Sequence, residues 1–217
     1  MTLFASVLTL TRADVQALQI TDPYSLHRVV YSLFEDVRTQ DEKAGAVRSG
    51  ILYAEREGNA KERCIVMLSD RLPSASAVTR HGGSAGTVRS QALPLKFLEH
   101  ERYHFKVVVN PTRRDNATKR LVPIRLHSEI ENWFSSRGAK NWGFEATSLA
   151  IERVDVLRFS GKNQQALTLS HAHIGGQLLV TDRSLFQQSF AQGLGRNSAF
   201  GCGLLQLVPA TNPFDFN

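Results

Sequence analysis

Residues 177–193 read Gln177-Leu178-Leu179-Val180-Thr181-Asp182-Arg183-Ser184-Leu185-Phe186-Gln187-Gln188-Ser189-Phe190-Ala191-Gln192-Gly193, and this stretch decides the fold. An apolar run stops at Asp182, a residue that caps helices. Behind it Leu185, Phe186, Ser189 and Phe190 share one side of a helix, and Gly193 stands where a helix C-cap is expected. A glycine loop then leads to Leu204-Leu205-Gln206-Leu207-Val208, a terminal strand. Upstream, residues 154–159 and 166–170 predict a hairpin joined by the turn-rich 160–165, its second strand extending or recurring past Gly175-Gly176 to Thr181. Further back, Ser128 is placed to cap a short helix through Trp133 and Phe134 that closes near Gly138, and Tyr103-His104-Phe105-Lys106-Val107-Val108-Val109 alternates as a strand does.

Strand, helix, strand, strand, helix, strand is the split βαβ order of a ferredoxin-like unit. The first half gives the opening four elements of the same order. Residues 3–10 read as a strand, and Asp22-Pro23 opens a helix whose apolar positions are Leu26, Val29, Val30, Leu33, Phe34 and Val37. Ile51-Leu52-Tyr53-Ala54 and Cys64-Ile65-Val66-Met67-Leu68 read as two strands joined by Glu57-Gly58-Asn59-Ala60. Residues 70–94 are small, polar and glycine-rich, without a clear helix or strand pattern, and mark the boundary between the halves. The expected architecture is therefore α+β, two tandem ferredoxin-like (βαββαβ) domains over residues 1–94 and 95–217. No sequence-level repeat links them.

Composition limits the function classes. With 42% hydrophobic and 21% charged residues in 217, the chain is a folded, soluble protein rather than a disordered tail or a collagen. No apolar run approaches the roughly 20 residues that cross a bilayer, so no membrane partner is expected. Cys64 and Cys202 lie far apart without a C-x-x-C spacing, which argues against a disulfide framework or zinc finger and fits a reducing cytoplasm. Residues 1–10 lack a basic n-region and read as a strand, not a signal peptide. The formal net charge is +6, and residues 101–125 hold seven bases (Arg102, Lys106, Arg113, Arg114, Lys119, Arg120, Arg125) against two acids. A block of that kind suits a polyanion such as nucleic acid, or an anionic membrane surface, as well as a merely solvated loop.

Chemistry is concentrated on one helix. At about 100° per residue, Tyr24, His27 and Tyr31 fall within about 60° of one another. A phenol and an imidazole one turn apart can meet the same atom, and histidine moves protons near neutral pH. The competing reading is a partly buried histidine with a satisfied hydrogen bond. The loop Gly193-Leu194-Gly195-Arg196-Asn197-Ser198-Ala199-Phe200-Gly201-Cys202-Gly203 follows a helix and precedes a strand, the reverse of a phosphate-binding glycine loop, which excludes nucleotide binding of that type. A structural turn and a polyanion contact both remain open for it. His171 and His173 share a strand face, but no third ligand follows at a recognised spacing, so no metal is expected. No Gly-x-Ser-x-Gly elbow and no RNP-like aromatic string is present.

Three segments resemble one family in the same order. The glycine loop with Leu204-Leu205 resembles the C-terminal motif of the RAMP superfamily. The Asp22-Pro23-Tyr24-Ser25-Leu26-His27-Arg28 helix start resembles the active-site helix of CasE-type CRISPR-associated endoribonucleases, and 105–113 running to 119–123 is similar to that family's basic strand and loop. The resemblance implies a metal-independent, cofactor-free endoribonuclease that cuts CRISPR repeat RNA at the 3′ base of its stem-loop. The 2′-OH would be the nucleophile, and the enzyme would work beside other subunits of a Cascade-like complex. The alternative is a noncatalytic RAMP-type subunit that holds crRNA. By the same resemblance His27 and Tyr24 are catalytic, and residues 1–94 carry the catalytic helix while 95–217 bind RNA. Arg28, Lys106, Arg113, Arg114, Lys119, Arg120, Arg158, Lys162, Gly193, Gly195, Arg196, Gly201 and Gly203 would contact RNA. Where some relatives carry a glycine-loop lysine this chain has Ser198, leaving Arg28, Arg196, Arg113 and Arg114 as candidates to stabilise the transition state.

Overall fold

The computed structural model describes residues 2–44, 47–56, 61–80, 83–161 and 164–210. They form two compact units, one running to Leu93 and including Ser198–Gly201, the other comprising Pro94–Asn197 and the chain from Cys202 onward.

In the first unit β1 (Phe4–Thr11) leads through α1 (Arg12–Ala17), α2 (Pro23–Tyr31) and α3 (Gln40–Ala44) to β2 (Ile51–Arg56) and β3 (Glu62–Ser69). The short strands β4 (Val78–Arg80) and β5 (Gly83–Ala85) follow, then β6 (Thr87–Ala92). The sheet order is β2-β3-β1-β6, antiparallel throughout, so β1 pairs with β3 on one side (Leu8 opposite Ile65) and β6 on the other (Leu8 opposite Val88). Leu8, Leu10, Ile65 and Met67 point from this sheet into a core shared with Leu26, Val29 and Val30 of α2, all nearly inaccessible to solvent. Each such side chain contributes about 2 kcal/mol of transfer free energy.

Two expectations change here. The apolar spacing through Val37 predicts a longer helix than α2, which ends at Tyr31. The carbonyl of Leu33 is taken by Ser74, whose amide and hydroxyl donate to it at 2.7 and 2.9 Å, and the Ser32 hydroxyl bonds back to Val29 O at 2.7 Å. Leu33 and Phe34 still reach the core from the turn, while Val37 is exposed. Side-chain hydroxyls that compete for backbone carbonyls end a helix in this way. The second change concerns residues 70–94, which contain β4, β5 and the fourth strand of the sheet. Val78 and Ala85 of the small hairpin join the core where a ferredoxin-like unit has its second helix. Most β6 side chains are exposed and its hold on β1 is a backbone ladder, so no apolar alternation announced it. The turn expected at 57–60 lies outside the described residues.

The second unit has the complete order: β7 (Arg102–Val109), a hairpin of β8 (Thr112–Arg114) and β9 (Leu121–Pro123), α4 (His127–Arg137), β10 (Phe144–Ser160), β11 (Ala166–Val180), α5 (Arg183–Gln192) and β12 (Gln206–Pro209). Its sheet runs β10-β11-β7-β12. Both sheets thus set the third strand between the first and second, with the last strand on the far side of the first. That is the tandem ferredoxin-like architecture. Asp182 caps α5 by accepting the Leu185 amide at 2.9 Å, and Gly193 ends that helix, as the sequence predicts. Ser128 is not the cap of α4. The helix begins two residues earlier, at His127 behind Leu126, with no side-chain cap, in a phase that buries Ile130 and Phe134 completely.

β10 starts ten residues before the predicted strand because register shifts near residues 147 and 152 interrupt its period of two. Only Ala172–Leu179 of β11 pairs with β7, so the distal part of the β10–β11 hairpin is a two-stranded ribbon. Cys202 is buried in this unit, and burial pushes its thiol pKa up to about 12.

Gly143 joins α4 to β10 at φ +75°, and its carbonyl accepts the amides of Thr181 and Asp182 at 2.9 and 3.0 Å. A Cβ there would run into the carbonyl oxygen of Asp182 and the amide of Phe186. Gly143→Ala is expected to destabilise the protein by about 2 kcal/mol or more, from left-handed strain and the backbone collision together. Chemical denaturation measures this, and an unchanged midpoint would refute it.

Candidate active site

The site begins with the cap of α2. The Ser25 amide donates to Asp22 Oδ1 at 2.7 Å, and Ser25 Oγ accepts the amides of Thr21 and Asp22 at 2.9 and 3.0 Å. This reciprocal cap, with Pro23 at the first helical position, fixes where the helix starts and hence which residues share a face. Leu26, Val29 and Val30 face the core. Tyr24, His27 and Tyr31 form the neighbouring face, one turn apart.

The imidazole of His27 lies 6.2 Å from the Tyr24 ring at 22° and 4.1 Å from the Tyr31 ring at 46°. The fourth ring is Phe200, 5.8 Å away at 54°, within the Ser198–Gly201 turn that belongs to this unit. Tyr31 is held by a 2.8 Å hydrogen bond between its hydroxyl and Ser49 Oγ. Burial lowers the His27 pKa below 6.5; a hydrogen bond to the Ala199 backbone opposes this, and the positive charge of Arg38 adds to it. Nδ1 of His27 is buried without a hydrogen-bond partner. Burial raises the Tyr31 phenol pKa, only partly offset by Ser49. The cluster therefore presents a neutral imidazole beside the protonated phenol of Tyr31 at pH 7, a group fit to accept a proton. A cavity of about 480 Å³ runs beside α2, lined by His27, Arg28, Leu18, Gln19, Val78 and Thr79 among others.

The structure brings together Tyr24 and His27, with Arg28 exposed on the same helix. It adds Tyr31, Phe200, Ala199, Ser49 and Arg38. Tyr31 was visible in the helical spacing, whereas nothing in the sequence ties Phe200 or Ala199 to a histidine more than 170 residues earlier. In the second unit Lys106 pairs with Glu152 at 2.9 Å and Arg113 with Glu129 at 2.8 Å, both on the surface. Arg114 donates to the Lys119 carbonyl at 3.1 Å across the β8–β9 hairpin, and Arg120 and Lys119 are exposed. Arg158 is exposed on the β10–β11 ribbon, and Lys162 lies outside the described residues. Gly193, Gly195 and Gly203 belong to this unit, Gly203 donating to the Val108 carbonyl at 2.7 Å, and Arg196 is exposed. Gly201 and Ser198 belong to the first unit. His173 stands 3.1 Å from the Arg153 guanidinium and 3.6 Å from Asp155, and among the described residues no cluster of three metal-ligating side chains forms.

Two ferredoxin-like units, the first of which sets an imidazole among phenols, define the class by architecture, and comparison fixes the family. The family model described as CRISPR associated protein matches residues 3–209, and the chain belongs to that family. It is 23% identical over 200 residues to the CRISPR system Cascade subunit CasE of Escherichia coli (strain K12), covering 87% of this chain and 92% of that protein. Among solved structures it is similar to CRISPR endoribonuclease Cse3 bound to a 19-nucleotide RNA, with a TM-score of 0.77, 21% identity and coverage of 96% and 100%. Thermus thermophilus Cse3 bound to an RNA representing a pre-cleavage complex gives the same TM-score at 20% identity, with the same coverage.

Because the folded pKa of His27 lies below the value near 6.5 it has when unfolded, the unfolded chain takes up a proton first as pH falls. Stability contributed by the neutral, buried ring is complete above pH 6.5 and declines from there down to the folded pKa. The wild-type urea midpoint is expected to drop more between pH 7.5 and 5.5 than that of His27→Gln; equal drops would show that the ring is not buried in its neutral form.

Proposed function

We propose that the protein is a metal-independent endoribonuclease that cleaves CRISPR repeat RNA at the 3′ base of its stem-loop. The observation that carries this reading is the neutral imidazole of His27, clamped among Tyr24, Tyr31 and Phe200, in a chain of the CRISPR-associated family. The 2′-oxygen next to the scissile phosphate attacks phosphorus, the bond to the 5′-oxygen breaks, and the products are a 2′,3′-cyclic phosphate and a 5′-OH. His27 serves as the base for the 2′-OH, and the Tyr24 phenol lies on the same face to bond to the phosphate or to hand a proton to the departing oxygen. Arg28, exposed one residue beyond His27, is the nearest cation in sequence for the charge that builds on the phosphorane. Ser198 supplies none.

In this reading residues 1–94 hold the cutting helix and 95–217 grip the stem. Arg113, Arg114, Lys119 and Arg120 on the β8–β9 hairpin, with Lys106, take phosphates; Arg158, Lys162 and Arg196 extend the contact, and Gly193, Gly195, Gly201 and Gly203 let backbone approach RNA closely. A stem read this way is recognised by shape and phosphates more than by base edges. The relative named as a Cascade subunit supports a place in such a complex, and the free thiols of Cys64 and Cys202 suit the reducing cytoplasm proposed for it. No helix among the described residues is long and apolar enough to cross a membrane.

His27→Ala is expected to slow single-turnover cleavage of a repeat RNA by about 100-fold or more while leaving its binding intact. Retained cleavage removes His27 from the mechanism, and binding without any cleavage by the wild type would mark a noncatalytic subunit. Cleavage is expected to persist in EDTA and to cease when the ribose at the cut is 2′-deoxy; the opposite pattern would point to a metal-bound water as nucleophile. Arg120→Ala is expected to weaken RNA binding and to reduce the slope of log K against log salt by about one, which a salt titration by filter binding reads directly.

A further inference from the structure

We propose that Tyr53 is a positioning residue for His27, acting from β2 through the Ala199 carbonyl and the turn around it; this rests on the reading of His27 as the catalytic imidazole. Tyr53 is 1% exposed, its ring part of the core of the first unit. Its hydroxyl donates to Ala199 O at 2.8 Å. Two residues further on, Gly201 sits at φ +81°, a conformation that side chains rarely adopt, and a Cβ there would lie 3.5 Å from the edge of the Tyr53 ring. Tyr53 thus meets the turn on both sides of Phe200, by a hydrogen bond at Ala199 and with its ring edge where a Gly201 side chain would begin.

Those same two residues, Ala199 and Phe200, are what the turn presents to His27. Phe200 lies 5.8 Å from the imidazole, and the Ala199 backbone hydrogen-bonds to it. A carbonyl oxygen has two lone pairs and only accepts. Ala199 O can therefore receive the phenol and an imidazole N–H together, so the turn that Tyr53 holds restrains the rotation of the imidazole. A general base has to be aimed at the 2′-OH, so a restraint on the ring's rotation bears directly on the rate. The other groups facing the ring are Tyr24 and Tyr31 from α2 and the charge of Arg38; Tyr31 is itself tied to Ser49. None of these reaches Ala199 in the way Tyr53 does.

The test is Tyr53→Phe, which keeps the ring and removes the hydroxyl. With full-length protein and a repeat RNA, single-turnover cleavage is expected to fall about 10- to 100-fold, the cost of a slightly misplaced catalytic group, with RNA affinity unchanged. With the turn no longer held by the phenol, the Ala199 contact that favours the protonated imidazole weakens. The acid limb of the pH–rate profile and the His27 titration seen by NMR in RNA-free protein are both expected to move to lower pH. A lowered melting temperature with unchanged rate, profile and titration would overturn the proposal and leave Tyr53 as a packing residue. His27→Ala separates the two levels. If that variant still cleaves, the catalytic reading fails, and the NMR titration alone then decides whether Tyr53 positions the ring; if it is inactive while Tyr53→Phe matches wild type in every readout, only the positioning role fails.

Discussion

Helix α2 has to bury one face and arm the adjacent one within nine residues, and the reciprocal Asp22–Ser25 cap makes both possible. A helix this short is marginal in water, so its stability comes from the cap and from Leu26, Val29 and Val30 against the sheet. Those contacts fix its rotation. Once the rotation is fixed, Tyr24, His27 and Tyr31 can only point where they do. Sliding the start by a single residue would turn the helix by about 100° and carry the imidazole away from Phe200 and Ala199.

The environment of His27 is a compromise between burial and a single polar contact. Burial lowers its pKa, keeping the ring neutral and able to take a proton, while the Ala199 bond restrains that drop and sets the ring's orientation. Deeper burial with no polar partner would leave a base too weak to help the 2′-OH. Full exposure would leave it free to rotate. The surrounding rings, Tyr24, Tyr31 and Phe200, limit rotation without adding charge.

Much of the second unit was legible from its sequence because its last helix and its central strand carry their own signals: Asp182 and Gly193 bracket α5, and the alternation of 103–109 marks β7. The first unit was half legible. Its fourth strand, β6, is held by backbone pairing with β1 and shows mostly polar side chains, while the β4–β5 hairpin supplies to the core only Val78 and Ala85, too few to make a period. Likewise the Tyr24–His27–Tyr31 face follows from helical geometry, but Phe200 and Tyr53 reach the site through tertiary contacts that no local spacing encodes. The late start expected for β10 has the same origin in a different form, since its register shifts move the alternation from one face to the other.

The basic block of the second unit is less free than its composition suggests. Lys106 and Arg113, two of its seven bases, are engaged by Glu152 and Glu129. Such exposed pairs are worth about 0–1 kcal/mol, so exchanging a carboxylate for a phosphate costs little. The exchange still has a consequence for recognition. A base already oriented by a carboxylate releases fewer counterions on meeting RNA than an unpaired one, and its contribution to affinity depends on whether the phosphate arrives where the carboxylate was. In the proposed function Arg120 would attract any polyanion, whereas Lys106 and Arg113 would reward only one whose phosphates match their preset directions. In that function the paired bases would favour a structured stem over an arbitrary strand, and specificity would reside in part in the acids that dilute the charge.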